Sequence, residues 1–322
     1  MALCFASCIK EVDILPDDPD SVPDNDSIVA DISIPPVGAV GGLFSVAFDC
    51  QVYFSKGNLQ WSKSGYYGQS EHDVQGGTAP GVWRFGEYQY SIVGSESQYS
   101  DMSHNTYFGN VSNGDNGYIG SSYSGWIDLF GWGTSGGYNH PPYQTSTYYA
   151  DYGNGALDIA GTLFDWGVYN AISNGGDQPN RWRTLTRTEW GYLLRLRTNA
   201  GKKYGIGKIE NICGLIILPD QWTLPEGCSF NSGISSSRND YSLNEYSFQQ
   251  WELMEANGAV FLPAAGLRYE TMVMNVGVAG FYWTSSAAGS DAYLIYFGSD
   301  HLDVSEHYVR PYGCAVRLVH DK

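Results

Sequence analysis

The chain has 322 residues with 43% apolar content, enough for one large or two ordinary domains with a sizeable core. Its formal net charge of −17 argues against a nucleic-acid-binding surface, because such surfaces present clustered lysine and arginine. The sequence has no apolar run near the roughly 20 residues that span a bilayer, and its 40 glycines, 25 tyrosines and 10 tryptophans predict a loop-rich domain with aromatic anchors.

The N-terminus resembles the end of a lipoprotein signal, in which small residues precede the cysteine that becomes lipidated. Ala6 and Ser7 stand directly before Cys8, so Cys8 is the expected lipidation site. Residues 1–8 are interpreted as the remnant of that signal. Because this remnant is too short to work by itself, we expect translation to start upstream of Met1.

Residues 9–40 are expected to form a disordered acidic tether. Aspartate alternates with proline, serine and asparagine between Asp17 and Asp26. Such a stretch cannot bury enough apolar surface to order itself, and its like charges favour an extended chain. The remaining residues, 41–322, are expected to form the folded domain.

Short strands open this domain, at residues 44–48, 51–55 and 58–61. A Gly-, Tyr- and Ser-rich segment follows, from about residue 68 to residue 180. Loops of this length in a compact domain are usually functional or packed separately. We therefore predict that the 68–180 segment is an insertion that decorates the core.

Two helices are predicted in the middle of the chain. The first begins with a capping box at residues 186–189 and ends near Gly201. The second begins at Ser247, with Gln250 in the reciprocal capping position, and stops at Gly258. Strands before and after two central helices predict an α+β fold.

The C-terminal segment carries the most informative pattern. Strand-like framework at 280–286, 292–297 and 312–319 brackets a polar run at 298–311. Side chains alternate between the two faces of a strand, so Tyr293, Ile295 and Phe297 are predicted to point inward. The predicted outward, ligand-binding set is Leu294, Tyr296, His301, Asp303, His307 and Tyr308.

A series of blocks in fixed order accompanies this ending. They are Val52–Gln60, Trp83–Phe85, Gly125–Gly133, Asp165–Ile172, Trp182–Thr186, Leu218–Trp222 and Met254–Gly266. Together with the C-terminal segment, they resemble the C-type-lectin-fold variable proteins that retroelements diversify, in the version found among Bacteroidetes surface lipoproteins. The formylglycine-generating, sulfatase-modifying enzymes share that fold. The resemblance runs from about residue 43 to the end.

The resemblance implies an α+β, C-type-lectin-like fold with two helices, short antiparallel strands and long Gly/Tyr/Trp-rich loops. It implies that the terminal strands pair, with residues 52–54 alongside 316–318. It further implies a receptor or adhesin on the cell surface, anchored as an outer-membrane lipoprotein, with a variable C-terminal binding face. The expected ligand is a protein or glycan on another cell, phage or host surface, and no cofactor, metal or nucleic acid is expected.

Two alternatives remain open for the function. The first is a glycan-binding module, in which Trp126 and Trp132 stack on sugar rings. The second is a formylglycine-generating enzyme, whose chemistry needs two neighbouring cysteines to bind copper. Only Cys314 lies in the C-terminal region, so the enzyme hypothesis ranks last and we predict that the chain has no catalytic residues.

Other candidate sites have simpler interpretations. Cys50, Cys213, Cys228 and Cys314 allow three disulfide pairings, although buried thiols are favoured because their spacing is irregular. Residues 178–180 are similar to the calcium-binding tripeptide of true C-type lectins, but a turn is favoured because no matching Trp-Asn-Asp follows. The carboxylates of Glu252 and Glu255 are expected to lie on a solvated helix face. Residues 120–125 lack the strand-to-helix context of a nucleophilic serine.

Overall fold

The computed structural model describes residues 34–63, 81–92, 125–234, 241–270 and 272–322. Over these residues the chain is a mixed α+β protein, rich in strands and poor in helices. The strands are β1 (Phe44–Ser45), β2 (Gln51–Phe54), β3 (Leu59–Ser62), β4 (Val82–Phe85), β5 (Trp126–Ile127), β6 (Arg183–Thr184), β7 (Tyr204–Ile209), β8 (Ile212–Ile217), β9 (Glu245–Tyr246), β10 (Val260–Pro263), β11 (Leu267–Tyr269), β12 (Met272–Met274), β13 (Gly280–Ala288), β14 (Asp291–Phe297), β15 (Leu302–Val309) and β16 (Leu318–Asp321). The helices are α1 (Trp166–Tyr169), α2 (Arg187–Gly191) and α3 (Phe248–Ala256).

The strands form small sheets with mainly antiparallel pairing. Their strand orders within the described ranges are β1-β2-β16-β6, β9-β7-β8-β10, β11-β12, β13-β14-β15 and β4-β3-β5. Among these strands, the one parallel pair is that of the short β9 with β7. The sheet of β13, β14 and β15 is called the C-terminal sheet below, since it contains most of the predicted binding residues.

The pairing of the chain ends is confirmed, with a different register from the predicted one. In β16, Val319 lies opposite Phe54 and Asp321 lies opposite Val52. The predicted partner, residues 316–318, begins too early because the backbone just before it is already engaged with the C-terminal sheet. There Trp283 N–H donates to the carbonyl of Ala315, at 3.0 Å.

The capping box at the start of α2 is confirmed, but the helix is shorter than predicted. Glu189 N–H donates to the hydroxyl of Thr186, and Thr186 N–H donates back to the Glu189 carboxylate at 2.7 Å. After Gly191 the chain continues as a π-helical turn, Tyr192–Leu196. It stops before residue 201 because the buried guanidinium of Arg197 turns away to the carbonyl of Leu218, at 2.9 Å.

The second predicted helix, α3, is confirmed at both ends. Ser247 and Gln250 form the reciprocal capping box, and Gly258 ends the helix with a left-handed φ of 91°. Trp251 and Met254 are buried on its inner face. The following strand β10 pairs with β8.

Two hydrophobic cores lie in the described part of the chain. The first core contains Phe54, Trp190, Ile216, Trp251, Phe261, Tyr282 and Ile295, among others. The second core contains Trp61, Trp83, Phe130, Trp132, Trp166, Trp182, Trp283 and Leu294, among others. The residues of the second core come from both ends of the domain and from the middle of the chain.

The predicted 68–180 insertion does not simply decorate the core. Phe130, Trp132 and Trp166 come from its described part and have no solvent exposure. Their rings pack in the second core, where Trp166 contacts Phe130 at a centroid distance of 6.3 Å. This segment therefore forms part of the core against which the C-terminal sheet packs. Its polar, Gly-rich composition did not predict this role.

A buried arginine ties the two chain ends to the middle of the domain. The guanidinium of Arg317 donates to the carbonyls of Ser55, Gln89 and Phe261, and to the side-chain oxygen of Asn58. Burial lowers the pKa of Arg317 to about 10. Its hydrogen bonds replace the water that this cation would otherwise need.

The described residues belong to one compact unit, Ile34–Lys322. The signal remnant with Cys8, and residues 9–33 of the predicted tether, lie outside the described residues. The prediction is wrong for residues 34–40, which belong to the folded unit: Val40 is buried, and its N–H donates to the carbonyl of Phe54 at 2.8 Å. None of the helices within the described ranges has the length and apolar character needed to span a bilayer.

Candidate functional site

The predicted binding set lies on β14 and β15 and on the turn between them, but Leu294 does not face solvent. Its side chain is 0% exposed and packs in the second core. The prediction that Leu294 is a contact residue is therefore wrong. The other five residues of the predicted set are at least partly exposed.

The error arises because the C-terminal sheet is covered on both faces. Tyr282, Ile295 and Phe297 point into the first core, while Trp283 and Leu294 point into the second. A strand buried on both faces has no outward face for alternation to reveal. Inward packing of Ile295 and Phe297 is confirmed.

Tyr293 departs from the predicted inward set. Its side chain is only partly buried, beyond the edge of the first core. The guanidinium of Arg187, from α2, covers its ring at 4.4 Å from the centroid. Tyr293 is thus held by a cation–π contact at the surface instead of by apolar packing.

A continuous row of aromatic rings runs along the second-core side of the C-terminal sheet. We call this set the aromatic row: Tyr296, Phe281, Tyr308, Tyr312 and Tyr269. Successive ring centroids lie 4.8, 5.6, 5.6 and 5.2 Å apart. Phe281 is buried, whereas the four tyrosines are partly exposed. The row therefore presents rigid aromatic surface with hydroxyl groups on a buried support.

His301 extends the aromatic row at its Tyr296 end. The two ring centroids are 4.2 Å apart, and Nδ1 of His301 lies 2.7 Å from a carboxylate oxygen of Asp300. The imidazole also lies against the backbone of Gly298. A Cβ at that position would be 2.4 Å from the ring, so the glycine makes room for this histidine.

Asp303 and His307 make their polar contacts outside the aromatic row. The Asp303 carboxylate accepts from the N–H of Ser305 at 2.7 Å and lies 3.8 Å from the guanidinium of Arg195. Its backbone lies opposite Tyr296 of the row. Nδ1 of His307 lies 3.0 Å from the Asp291 carboxylate, and His307 lies opposite Tyr293, whose ring Arg187 of α2 covers. His307 therefore belongs to a different surface from the row.

A β-bulge separates Asp303 from His307 along β15. The register of β14 with β15 shifts between Leu294 and Tyr296, so that two residues of β15, at 304 and 305, face one residue of β14. His307 lies opposite Tyr293, whereas Asp303, beyond the bulge, lies opposite Tyr296. Residues 303, 305 and 307 would share one face of an unbroken strand, and the bulge interrupts that alternation.

Three members of the aromatic row were missed in the sequence. Phe281 and Tyr312 belong to segments that were interpreted as framework, and Tyr269 lies in a hairpin far from the polar run. Tyr312 comes directly after the predicted variable run, and this adjacency is the only sequence feature that could have suggested it. The contact between Tyr269 and Tyr312 depends on tertiary structure.

Arg268 anchors the β11–β12 hairpin, which carries Tyr269 of the aromatic row. Its buried guanidinium donates to the carbonyls of Glu270, Gln144 and Leu129, at 2.6, 3.2 and 3.3 Å. Burial lowers the pKa of Arg268 to about 10. The arginine fixes three separate loops, so the Tyr269 end of the row rests on a rigid base.

The electrostatic surroundings of the row are acidic. Burial, followed by the carboxylates of Asp300 and Glu306, raises the pKa of Tyr296. Burial, with contributions from Tyr296 and Glu306, likewise raises the pKa of Tyr308. Both phenols therefore stay neutral near pH 7, and can donate or accept hydrogen bonds.

The tryptophans of the glycan alternative are poorly placed for stacking on sugars. Trp132 is fully buried, and its indole N–H donates to the carbonyl of Thr284 at 2.8 Å. Trp126 is partly exposed, but the guanidinium of Arg84 lies 3.5 Å from its ring centroid. Stacking on Trp132 is therefore excluded in this structure, and one face of Trp126 is already occupied.

The described cysteines are free thiols. Cys314 is fully buried, and burial raises its pKa well above the usual range. Its thiol therefore stays protonated near neutral pH and is a poor nucleophile or metal ligand. Cys50, Cys213 and Cys228 are partly buried, so only Cys314 fits the favoured interpretation of a fully buried thiol.

The remaining candidates behave as ordinary surface features. Gln178 is exposed, and its side-chain carbonyl accepts hydrogen bonds from the guanidinium of Arg181 at 3.2 and 3.3 Å. Glu252 is exposed as predicted, whereas burial raises the pKa of the partly buried Glu255. In the described ranges, no group of three or more His, Cys, Asp or Glu side chains is arranged to hold a metal ion.

Comparisons of the chain with protein-family models, with curated proteins and with solved structures give no match.

Proposed function

We propose that this chain is a surface-displayed ligand-binding protein, a receptor or adhesin, whose contact surface is the aromatic row. The observation that carries this proposal is the chain of ring contacts from Tyr296 to Tyr269, exposed along one edge and buried beneath. Tyrosines supply large, rigid contact area at a small entropic cost, together with a hydroxyl for hydrogen bonding.

The support beneath the row favours recognition. Phe281 within the row and Leu294 of the second core are buried, and Arg268 fixes the Tyr269 hairpin. A preorganised surface loses little side-chain entropy when a ligand binds, and this improves affinity. The neutral phenols and the protonated Cys314 thiol favour binding over nucleophilic chemistry.

The proposal includes the placement of the domain. We propose a C-type-lectin-like fold that is tethered to the outer membrane through residues 9–33 and a lipid on Cys8. The paired chain ends and the C-terminal location of the aromatic row support that fold, because the resembled variable proteins have both features. The expected partner is a protein or glycan on another cell, phage or host surface.

The test compares single alanine variants of Tyr296, Tyr308 and Tyr312 in the full chain, displayed on cells and scored for adhesion to the natural partner cell. Contact tyrosines at the centre of an interface typically contribute more than about 1 kcal/mol, so at least two variants should lower adhesion roughly fivefold or more. Tyr169→Ala is the matched control, because Tyr169 is an exposed tyrosine on α1.

Adhesion that is unchanged in all three variants, with folding intact, would place the binding surface elsewhere. The class of ligand is read separately by glycan-array binding of the soluble domain. A protein-directed receptor should give little signal there, whereas a glycan-binding module should give strong signal that falls in the same tyrosine variants.

A further inference from the structure

The carboxylate of Glu306 occupies a distinctive position beside the aromatic row. Glu306 lies opposite Leu294 in the strand pairing and two residues before Tyr308, so it shares a face with both. It is partly buried, and among the described residues it has no hydrogen-bond or ion-pair partner. Its carboxylate is therefore available to attract a cation beside the aromatic rings, where the protein screens charges less than open water does.

The charges around this position have one sign. Glu306 and Asp300 both act on the phenol of Tyr296, and Glu306 also acts on the phenol of Tyr308. No cation within the described part of the chain appears among the groups that shift either phenol. The Asp300 carboxylate also lies 2.7 Å from Nδ1 of His301.

The arginines of this region are committed elsewhere. The buried guanidinium groups of Arg268 and Arg310 donate to backbone carbonyls. On the α2 side of the sheet, Arg187 covers Tyr293 and Arg195 lies 3.8 Å from Asp303. The aromatic row is thus an acidic, tyrosine-rich surface, and these described arginines are engaged with groups other than Glu306.

Aromatic faces combined with a nearby carboxylate form a receptor for organic cations. The ring quadrupole attracts a lysine ammonium or an arginine guanidinium, and the apolar part of those side chains packs on the ring. A neutral sugar gains nothing from an unpaired carboxylate beyond ordinary hydrogen bonds. The chemistry of this surface therefore favours a protein ligand with exposed basic side chains.

We propose that the ligand of the aromatic row is a protein segment that inserts a lysine or arginine side chain between Tyr296 and Tyr308, against the carboxylate of Glu306. This inference rests on the proposed function, because it names the partner chemistry of the same surface. It assigns Glu306 a direct contact role that the sequence prediction did not include.

The experiment measures binding of small cationic probes to the full chain by NMR, using labelled tyrosine rings. The probes are N-acetyl-lysine amide and N-acetyl-arginine amide, and N-acetyl-norleucine amide is the uncharged control. Saturable shifts of the Tyr296 and Tyr308 resonances are expected with the cationic probes. Loss of the carboxylate in Glu306→Gln should weaken that binding about tenfold.

The matched control is Glu252→Gln, which removes an exposed carboxylate from α3 and should leave probe binding unchanged. Equal shifts with norleucine and lysine probes, or full-strength cation binding by Glu306→Gln with an unchanged melting temperature, would overturn the inference. An effect of Glu252→Gln as large as that of Glu306→Gln would also overturn it, since the attraction would then reflect only net charge.

The same variants in the adhesion assay separate the two proposals. Loss of adhesion in Tyr296→Ala and Tyr308→Ala with full adhesion in Glu306→Gln would retain the proposed function and reject the cationic partner. Full adhesion in all of these variants would reject the proposed function itself. If the proposed function and the cationic partner are both correct, Glu306→Gln should reduce adhesion. Added salt should then lower the adhesion of the wild type more than the adhesion of Glu306→Gln.

Discussion

The indole N–H of Trp283, on the C-terminal sheet, donates a 2.7 Å hydrogen bond to the carbonyl of Phe130. A second bond runs in the opposite direction, from the indole of Trp132 to the carbonyl of Thr284 at 2.8 Å. Both tryptophans are buried, so each polar N–H is satisfied by the other segment. The C-terminal sheet and the 125–180 segment therefore stabilise each other within the second core.

Trp283→Ala should destabilise the domain strongly. The change removes a buried ring and leaves a cavity, and the Phe130 carbonyl keeps only the Cys314 N–H as a donor, at a cost of about 3–5 kcal/mol. Urea unfolding with tryptophan fluorescence or circular dichroism measures the loss. The control, Trp126→Ala, removes a partly exposed indole and should cost clearly less. Equal losses in the two variants would contradict the assignment of Trp283 to the core.

Leu294→Ala tests the correction to the predicted binding set. A fully buried leucine should cost about 2–5 kcal/mol in unfolding free energy when truncated. Val309→Ala, at an exposed position at the end of the neighbouring strand, should change stability by no more than about 0.5 kcal/mol. A Leu294→Ala protein with wild-type stability would restore Leu294 to the list of candidate contacts.

Local sequence patterns were sufficient to predict several helix ends and strands. The capping boxes at Thr186 and Ser247, and the left-handed Gly258, depend on interactions within one helical turn, and all three are present. The early strands β1, β2 and β3 also fall where short β-rich runs predicted them. These features need no knowledge of distant parts of the chain.

The binding surface could not be predicted in the same way. Leu294 is buried because it packs with Trp283 and with rings of the 125–180 segment in the second core. The sequence around Leu294 contains no pattern from which this packing could be predicted. Tyr269 and Tyr312 meet because the backbones of Arg268 and Gly313, one residue from each tyrosine, exchange two hydrogen bonds. Such long-range contacts override strand alternation, which assumes one buried face and one solvated face.

Arg317→Ala should be among the most damaging substitutions in the chain. It leaves the carbonyls of Ser55, Gln89 and Phe261 without their buried donor. Losing one partner of a buried, charge-assisted network typically costs about 3–5 kcal/mol. Thermal or urea unfolding should show this loss, with the exposed Arg181→Ala as control. A loss below about 1 kcal/mol would mean that water enters and replaces the guanidinium.

The last prediction concerns Asp165, which caps α1 from inside the protein. Its fully buried carboxylate accepts from the backbone N–H of Thr184 at 3.1 Å and from the Thr184 hydroxyl at 2.8 Å. Burial outweighs these hydrogen bonds and raises the pKa of Asp165 from 3.8 to about 7. The folded state therefore holds this proton more tightly than the unfolded state does.

Stability should consequently fall as pH rises from about 4 to about 7, because only the unfolded state releases the Asp165 proton over most of this range. The full contribution is present below pH 4, and each pH unit in the window removes at most about 1.4 kcal/mol of unfolding free energy. Urea unfolding of the wild type and of Asp165→Asn at several pH values isolates the effect, since other titrating groups are common to both. The wild type should lose stability relative to the variant as pH rises. A difference that stays constant from pH 4 to pH 8 would show that Asp165 is already ionised in the folded protein, held by the two Thr184 donors.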